Sequence, residues 1–399
     1  MSLNDTPSSE RLHIAFFGRR NAGKSSLVNA LTGQDMSVVS DTPGTTTDPV
    51  RKTMEILPLG PVVIIDTPGI DDEGELGALR VEKTNEVLES SDIAVLVIDS
   101  SRGMGEYEKN LEEIFRTKKL PYLIVRNKED IAEDRDVSIP ENSISVSAKT
   151  HAGIEEFKNR LAALKPEAEN KRTMIADLIK SGDRVMLVIP IDESAPKGRI
   201  ILPQQMVLRE LLELGAITTV VKDTEVEEAL KEMKIPPRMV ITDSQVFGKL
   251  MKIVPENIEL TSFSIIMARY KGTLQTQVEA VESLKKLKGG ETILISEGCT
   301  HKRQCRDIGT VKLPDWIRKS TGKDFTFETS SGNGFPKELK KYSLIVHCGA
   351  CMLNEKEMQS RMKRAQTEGI PFTNYGTLIA YVHGILPRAL KPLHLSPSI

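Results

Sequence analysis

Two groups of residues in this 399-residue sequence have the types and spacing to do chemistry. The first is Gly18-Arg-Arg-Asn21-Ala22-Gly23-Lys24-Ser25, a GxxxxGK(S/T) run lying between the apolar stretch HIAFFG and the helix-like stretch SSLVNAL. Its glycines let successive backbone N–H groups turn toward a β-phosphate at a helix N-terminus. Lys24 can reach the β- and γ-phosphates, and the Ser25 hydroxyl can bind magnesium. The second group is split into Cys299-Thr-His301 and His347-Cys348-Gly-Ala-Cys351. Thiolates and imidazoles are metal ligands, and a CxxC turn lets both its sulfurs face one metal. Together the two groups imply a nucleotide-gated metal protein.

Further motifs complete the nucleotide set in order along the chain. After the apolar run VVIID comes Asp66-Thr67-Pro68-Gly69, where Asp66 can hold magnesium through water and the Gly69 N–H can sense a γ-phosphate. Upstream, Pro43-Gly44-Thr45-Thr46-Thr47 offers a hydroxyl to magnesium, with Thr46 the choice among the three threonines. Asn127-Lys128-Glu129-Asp130 follows PYLIVR. One carboxylate there can accept from both the ring N–H and the exocyclic amine of guanine, a donor pair that adenine lacks. Ser147-Ala148-Lys149 follows SISV and offers backbone N–H groups to the guanine carbonyl oxygen. GTP is therefore expected over ATP, with Lys24, Thr46, Asp66 and Gly69 as the hydrolytic set. Gly18, Asn21, Ala22, Gly23, Ser25, Ser26, Thr45, Asn127, Lys128, Asp130, Ser147, Ala148 and Lys149 are expected to bind the nucleotide.

The cysteine group leaves the metal open. Cys299, Cys348 and Cys351 can bind three irons of a [4Fe-4S] cube, with His301, His347, Cys305, solvent or an exogenous ligand on the fourth. The same three cysteines and one histidine can equally close a zinc tetrahedron. A histidine next to a cysteine is more often a hydrogen-bonding neighbour than a ligand, and Cys305 lies outside the compact pattern.

The elements that must position these residues follow a strand–helix rhythm. Apolar runs alternate with amphipathic stretches from Leu12 to about Leu164, and each motif falls just past the carboxyl end of a run, where open α/β sheets place their ligand crevice. The charged stretch around Pro166 reads as a linker. The fold expected is α/β: a P-loop domain over 7–166, a middle α/β domain over 172–262 without catalytic motif, and a metal-binding domain over 263–399, the last two smaller and with mainly parallel sheets. Both halves of the cysteine motif follow strands, ETILISE and YSLIVH, so parallel strand ends can bring them together. With 54 Lys+Arg against 56 Asp+Glu, the net charge of −2 supplies no drive toward nucleic acid or anionic lipid. No run reaches the roughly 18 apolar residues of a membrane span, and the polar start MSLNDTPSSE lacks a signal-peptide core. A cytoplasmic protein is expected, in which the cysteines serve as thiols or metal ligands rather than disulfides.

The DTPG, NKxD and SAK residues resemble those of the Era/TrmE-like group of small GTPases over about the first 165 positions. The resemblance implies potassium held by Asn21. It also implies slow hydrolysis, because Ile70 stands where Ras-like GTPases keep a water-orienting glutamine. Joined to the CxH…HCxxC module, the whole chain resembles the HydF family of [FeFe]-hydrogenase maturation GTPases. That resemblance implies a [4Fe-4S] cluster on Cys299, Cys348 and Cys351, and a homodimer formed through the middle domain. It also implies a scaffold that receives a di-iron precursor and delivers it to the hydrogenase, with radical-SAM maturases and apo-hydrogenase as partners. Two other classes stay open: a ribosome- or tRNA-associated GTPase with structural zinc, and a redox enzyme gated by its GTPase domain. The first is opposed by the charge balance and by 4% aromatics, and the second lacks any flavin or nicotinamide fingerprint.

Overall fold

The structure is a computed structural model and describes residues 8–33, 49–67, 75–132, 140, 142–165, 172–191, 200–298, 308–332 and 334–395. The chain divides into two compact units, 1–170 and 171–399.

The first unit runs β1 (Leu12–Phe17), α1 (Lys24–Thr32), β2 (Val50–Ile56), β3 (Gly60–Asp66), α2 (Glu75–Ser90), β4 (Ile93–Asp99), α3 (Glu106–Thr117), β5 (Tyr122–Asn127), β6 (Ser143–Ser145) and α4 (Ile154–Ala163). The sheet has the order β2-β3-β1-β4-β5-β6, parallel except for the β2–β3 pair. Strand alternation sends Ile14 and Phe16 to one face and Ala15 and Phe17 to the other. Helices cover both faces, so the central strands are apolar throughout and buried on both sides. The antiparallel edge strand β2, VRKTMEI, is mostly exposed, which explains why no apolar run announces it.

The second unit carries two all-parallel four-stranded sheets. One is built from β7 (Arg184–Val188), α5 (Leu202–Glu213), β8 (Ile217–Val221), α6 (Val226–Glu232), β9 (Met239–Thr242), α7 (Phe247–Ile253) and β10 (Glu259–Ser262), in the order β10-β9-β7-β8. Next come α8 (Phe263–Tyr270), capped by the Ser262 hydroxyl accepting from the Ile265 N–H, and α9 (Leu274–Val281). The other sheet has the order β12-β11-β13-β14, from β11 (Thr292–Glu297), α10 (Leu313–Thr321), β12 (Thr326–Ser331), β13 (Tyr342–His347), α11 (Glu355–Thr367) and β14 (Phe372–Asn374). Helices α12 (Tyr375–Val382) and α13 (Leu386–Leu390) close the unit. One hydrophobic core runs from Val185 and Ile241 of the first sheet to Ile293 and Val346 of the second, so the two sheets share a single packed interior.

Candidate functional site

In the first unit the P-loop joins β1 to α1, and its glycines are fixed by close approach. Gly18 has φ +144°, and a Cβ there would lie 2.2 Å from the Val97 carbonyl oxygen of β4, a backbone atom that cannot give way. Gly23 has φ +88°, and its Cβ would lie 2.2 Å from Asn127 Nδ2. The buried Lys24 ammonium donates to the carbonyls of Gly18 and Arg19 at 2.9 and 3.0 Å, so its charge sits inside the loop. Arg19 is itself anchored by an ion pair of 2.9 Å to Glu108, whose other oxygen accepts from the Gly105 N–H at the start of α3.

Asp66, at the end of β3, meets α1 where magnesium chemistry would need it. Ser25 Oγ donates to Asp66 Oδ2 at 2.6 Å, while Asp66 Oδ1 is buried with no hydrogen-bond partner among the described residues. Burial pushes the Asp66 carboxyl above its ordinary range, against the Ser25 hydroxyl and the Lys24 charge. A hydroxyl and a carboxylate whose second oxygen is buried and orphaned form a donor set that fits a hard divalent cation.

The base-recognition motifs are tied to the P-loop through one side chain. Asn127, only 2% exposed, donates from Nδ2 to the Ala22 and Gly23 carbonyls at 3.1 and 3.4 Å, and its Oδ1 accepts from the Ala148 N–H at 3.0 Å. Ser147 Oγ donates to Asp130 Oδ1 at 2.6 Å and accepts from the Thr150 N–H, which joins the loops after β5 and β6. Lys128 takes a left-handed φ of 67° and its ammonium bonds Asp99 Oδ2 at 2.7 Å. Burial alone would raise the Asp99 carboxyl, but Lys128 and the Ser101 hydroxyl and N–H hold it below its ordinary range. The motifs give no role to Asp99, Glu108 or the Arg19 side chain. Asp99 had a signal, since it ends an apolar strand of a parallel sheet, whereas the Arg19–Glu108 pair had none. Asn21 lies in the left-handed region at φ 60°, and Ser26 and Lys149 are exposed. Thr45, Thr46, Gly69 and Ile70 lie outside the described residues.

In the second unit, β11 and β13 are parallel neighbours, and the chain leaves them in opposite directions, toward β12 and β14. Their carboxyl ends therefore bound a topological switch point, the place where such sheets open a crevice. Cys348 follows β13, with its N–H donating to Ser296 O of β11 at 2.8 Å. Cys348 Sγ accepts from the Gly298 N–H at 3.0 Å and from the Ala350 N–H at 3.4 Å. Burial pushes the Cys351 thiol up, opposed by Lys271 and by the N–H groups of Cys351 and Met352. Two sulfurs on one turn, met by backbone N–H donors, have the donor chemistry of an iron–sulfur ligand pair. Cys299, His301 and Cys305 lie outside the described residues, and among the described residues no three His, Cys, Asp or Glu side chains are gathered to hold a metal.

His347 is fully buried, with both ring nitrogens engaged. Arg361 Nη1 can only donate, so His347 Nε2 accepts at 3.1 Å, and Nδ1 carries the proton that it donates to the Cys348 carbonyl at 2.9 Å. Burial, and then the Arg361 charge, push the ring pKa down to about 3. Arg361 continues the network to Gly332 O at 2.7 Å and Glu357 at 2.6 Å. In this arrangement His347 supports the cysteine turn from behind.

The family model described as 50S ribosome-binding GTPase matches residues 13–128. The hydrogen maturase F dimerization domain matches 174–272, and the hydrogen maturase F tetramerization domain matches 275–392. The tRNA modification GTPase MnmE of Clostridioides difficile is 31% identical over 204 residues, covering 49% of this chain and 44% of that protein. GTPase Der of Kosmotoga olearia is 35% identical over 131 residues, covering 32% of this chain and 29% of that one. The chain thus spans less than half the length of these relatives. Among solved structures, Aquifex aeolicus Era bound to GDP and aluminium fluoride aligns at 22% identity over 53% of this chain and 94% of its own, with a TM-score of 0.34. A GTPase domain is followed by two hydrogen maturase F domains that together span more than half of the sequence, and the chain belongs to the hydrogen maturase F family.

Proposed function

We propose that this protein hydrolyses GTP and serves as a scaffold in [FeFe]-hydrogenase maturation. In this reading it holds a [4Fe-4S] cluster on Cys299, Cys348 and Cys351, accepts a di-iron precursor from radical-SAM maturases and delivers it to apo-hydrogenase. The observation that carries the reading is the Cys348 sulfur, met by two backbone N–H donors at a sheet switch point, within a unit matched by hydrogen maturase F domains.

Each side chain has a task in this reading. Lys24 brings a buried positive charge to the β- and γ-phosphates. Asn127 keeps the P-loop and the guanine-recognition loops in register, and Asp130, fixed by Ser147, accepts from the guanine edge. Ser25 and Asp66, together with Thr46, would hold magnesium, which would supply positive charge beside the phosphates. Gly69 senses the γ-phosphate, Asn21 holds potassium, and turnover is slow because Ile70 cannot orient water. Cys348 and Cys351 present sulfurs from one turn, and His347 holds that turn without ligating. A bound cluster would supply one-electron chemistry.

The division into 7–166, 172–262 and 263–399 belongs to the same reading, with the middle part forming a homodimer. Its support is a dimerization-domain match and the edge strand β8, on which Ile217 and Val220 are 46% and 48% exposed. No described helix is long and apolar enough to cross a membrane. A cytoplasmic location, which would keep the thiols reduced, and partners other than nucleic acid complete the proposal. The model described as a 50S ribosome-binding GTPase matches 13–128, whereas the cysteine turn lies in a hydrogen maturase F match.

The test is to co-express the protein with radical-SAM maturases, purify it, and mix it with apo-[FeFe]-hydrogenase. Hydrogen evolution from the wild-type mixture, absent with Cys348→Ser, supports the scaffold reading. A hydrogenase that stays inactive with wild type overturns it.

A further inference from the structure

Lys271 lies one residue past α8, at the end of the dimerization-domain match, yet its side chain ends in the cysteine turn of the following domain. It is 4% exposed. A buried ammonium is costly unless its donors are used, and two of them go to backbone here: Nζ donates to Ala350 O and to Leu353 O, the latter at 2.6 Å. With the His347 bond to Cys348 O, three carbonyls of the run 348–353 accept from side-chain donors, and Ala350 O accepts as well from the Leu353 N–H at 3.2 Å.

The direction of those bonds matters because a trans peptide unit points its C=O and N–H opposite ways. The Ala350 carbonyl and the Cys351 N–H belong to one unit. Holding the carbonyl toward Lys271 turns that N–H the other way, and the Ala350 N–H on the other side of the same residue donates to Cys348 Sγ at 3.4 Å. Ala350 takes a left-handed φ of 52°, the kind of backbone in which neighbouring N–H groups converge on an anion. Lys271 therefore does two things at once. It orients the donors that face sulfur, and it places a fixed positive charge behind them. Its own position is set by α8, whose Ile265, Ile266 and Met267 are buried in the core shared by both sheets. The neighbouring Arg172–Glu355 ion pair, at 2.7 Å, ties the start of the unit to α11.

We propose that Lys271 is a positioning residue for the sulfur ligands: its buried ammonium fixes the Cys348–Cys351 turn with its N–H groups toward sulfur and raises the reduction potential of the centre bound there. The inference rests on the cluster reading above. Positive charge and N–H···S bonds favour the more negative reduced centre, so losing them lowers the potential.

The experiment reconstitutes full-length wild type, Lys271→Met, Lys271→Arg and Lys271→Gln with iron and sulfide without oxygen. It reads iron per chain and the midpoint potential by EPR-monitored redox titration. Lys271→Met should lower the reduced-to-oxidised ratio at a fixed potential about tenfold, roughly 59 mV for one electron. Lys271→Arg should stay within about threefold of wild type. A Lys271→Met protein with the wild-type midpoint overturns the proposal. A folded but iron-free Lys271→Met supports it if Lys271→Arg regains iron, and overturns it if Lys271→Arg does not. Should Lys271→Met fail to fold, Lys271→Gln and Lys271→Arg decide. Both keep a donor and only arginine keeps the charge, so equal potentials overturn the proposal and a lower potential in Lys271→Gln supports it. A wild-type protein that takes no iron defeats the cluster reading itself, a result distinct from all of these.

Discussion

His347 should make the second unit lose stability as the pH of metal-free protein falls from 7.5 to 5. Burial, with Arg361 and Lys271 nearby, lowers its pKa from 6.5 to about 3, against the bond to the Cys348 carbonyl. A base whose folded pKa lies below its unfolded one binds its proton more tightly when unfolded. Its stabilising effect is therefore complete above about 6.5 and is lost as the pH falls toward 3. At pH 5 the unfolded ring is protonated by about 1.5 pH units and the folded ring is still neutral. At about 1.36 kcal/mol per unit the loss is about 2 kcal/mol. Trp316 is the only tryptophan, lies in α10 and packs at 5.3 Å from the His383 ring, so its fluorescence reports the second unit alone. With a urea slope of about 2 kcal/mol/M, the midpoint should fall by about 1 M between pH 7.5 and 5. His383, whose pKa burial also lowers, contributes with the same sign in wild type and in His347→Gln, so the difference between the two isolates His347. A midpoint that moves by the same amount in His347→Gln, or by less than about 0.3 M in wild type, refutes the reasoning.

Asn127→Ala removes bonds to Ala22 O, Gly23 O and the Ala148 N–H. At about 1 kcal/mol each, GTP binding should weaken about 30- to 150-fold, and a fluorescent-nucleotide titration showing less than threefold change contradicts the role given to it. Lys24→Ala should abolish GTP turnover while leaving iron binding intact, and Cys348→Ser should do the reverse; equal loss of both functions in either variant, measured by phosphate release and iron assay, speaks against separable sites. Exchanging potassium for sodium should slow phosphate release, and indifference to the exchange removes the role assigned to Asn21.

The nucleotide motifs were legible because a phosphate cradle and a guanine edge demand particular residues at particular strand ends, and a parallel sheet shows its central strands as apolar runs such as IAVLVID. The edges were less visible. Strands β2 and β12, VRKTMEI and TFETSS, are stabilised by pairing on one side and expose polar residues, so hydrophobic periodicity is weak there. Around the cysteines, sequence proximity made His347 a candidate ligand, but its state depends on Arg361, fourteen residues away and brought back by α11. Lys271 is 79 residues before Ala350, and a lysine after an amphipathic helix carries no signal of burial. Such long-range donors are set by packing between elements, which spacing does not encode.

The proposed scaffold joins a GTPase to an iron–sulfur site, and it is tested by purifying the protein without oxygen, reconstituting it with iron and sulfide, and measuring metal content, visible absorption and the EPR spectrum of the reduced form. A brown protein with about four irons per chain and a reduced-cluster signal, lost in Cys348→Ser, is the outcome expected of the scaffold. A colourless protein holding one tightly bound zinc contradicts it.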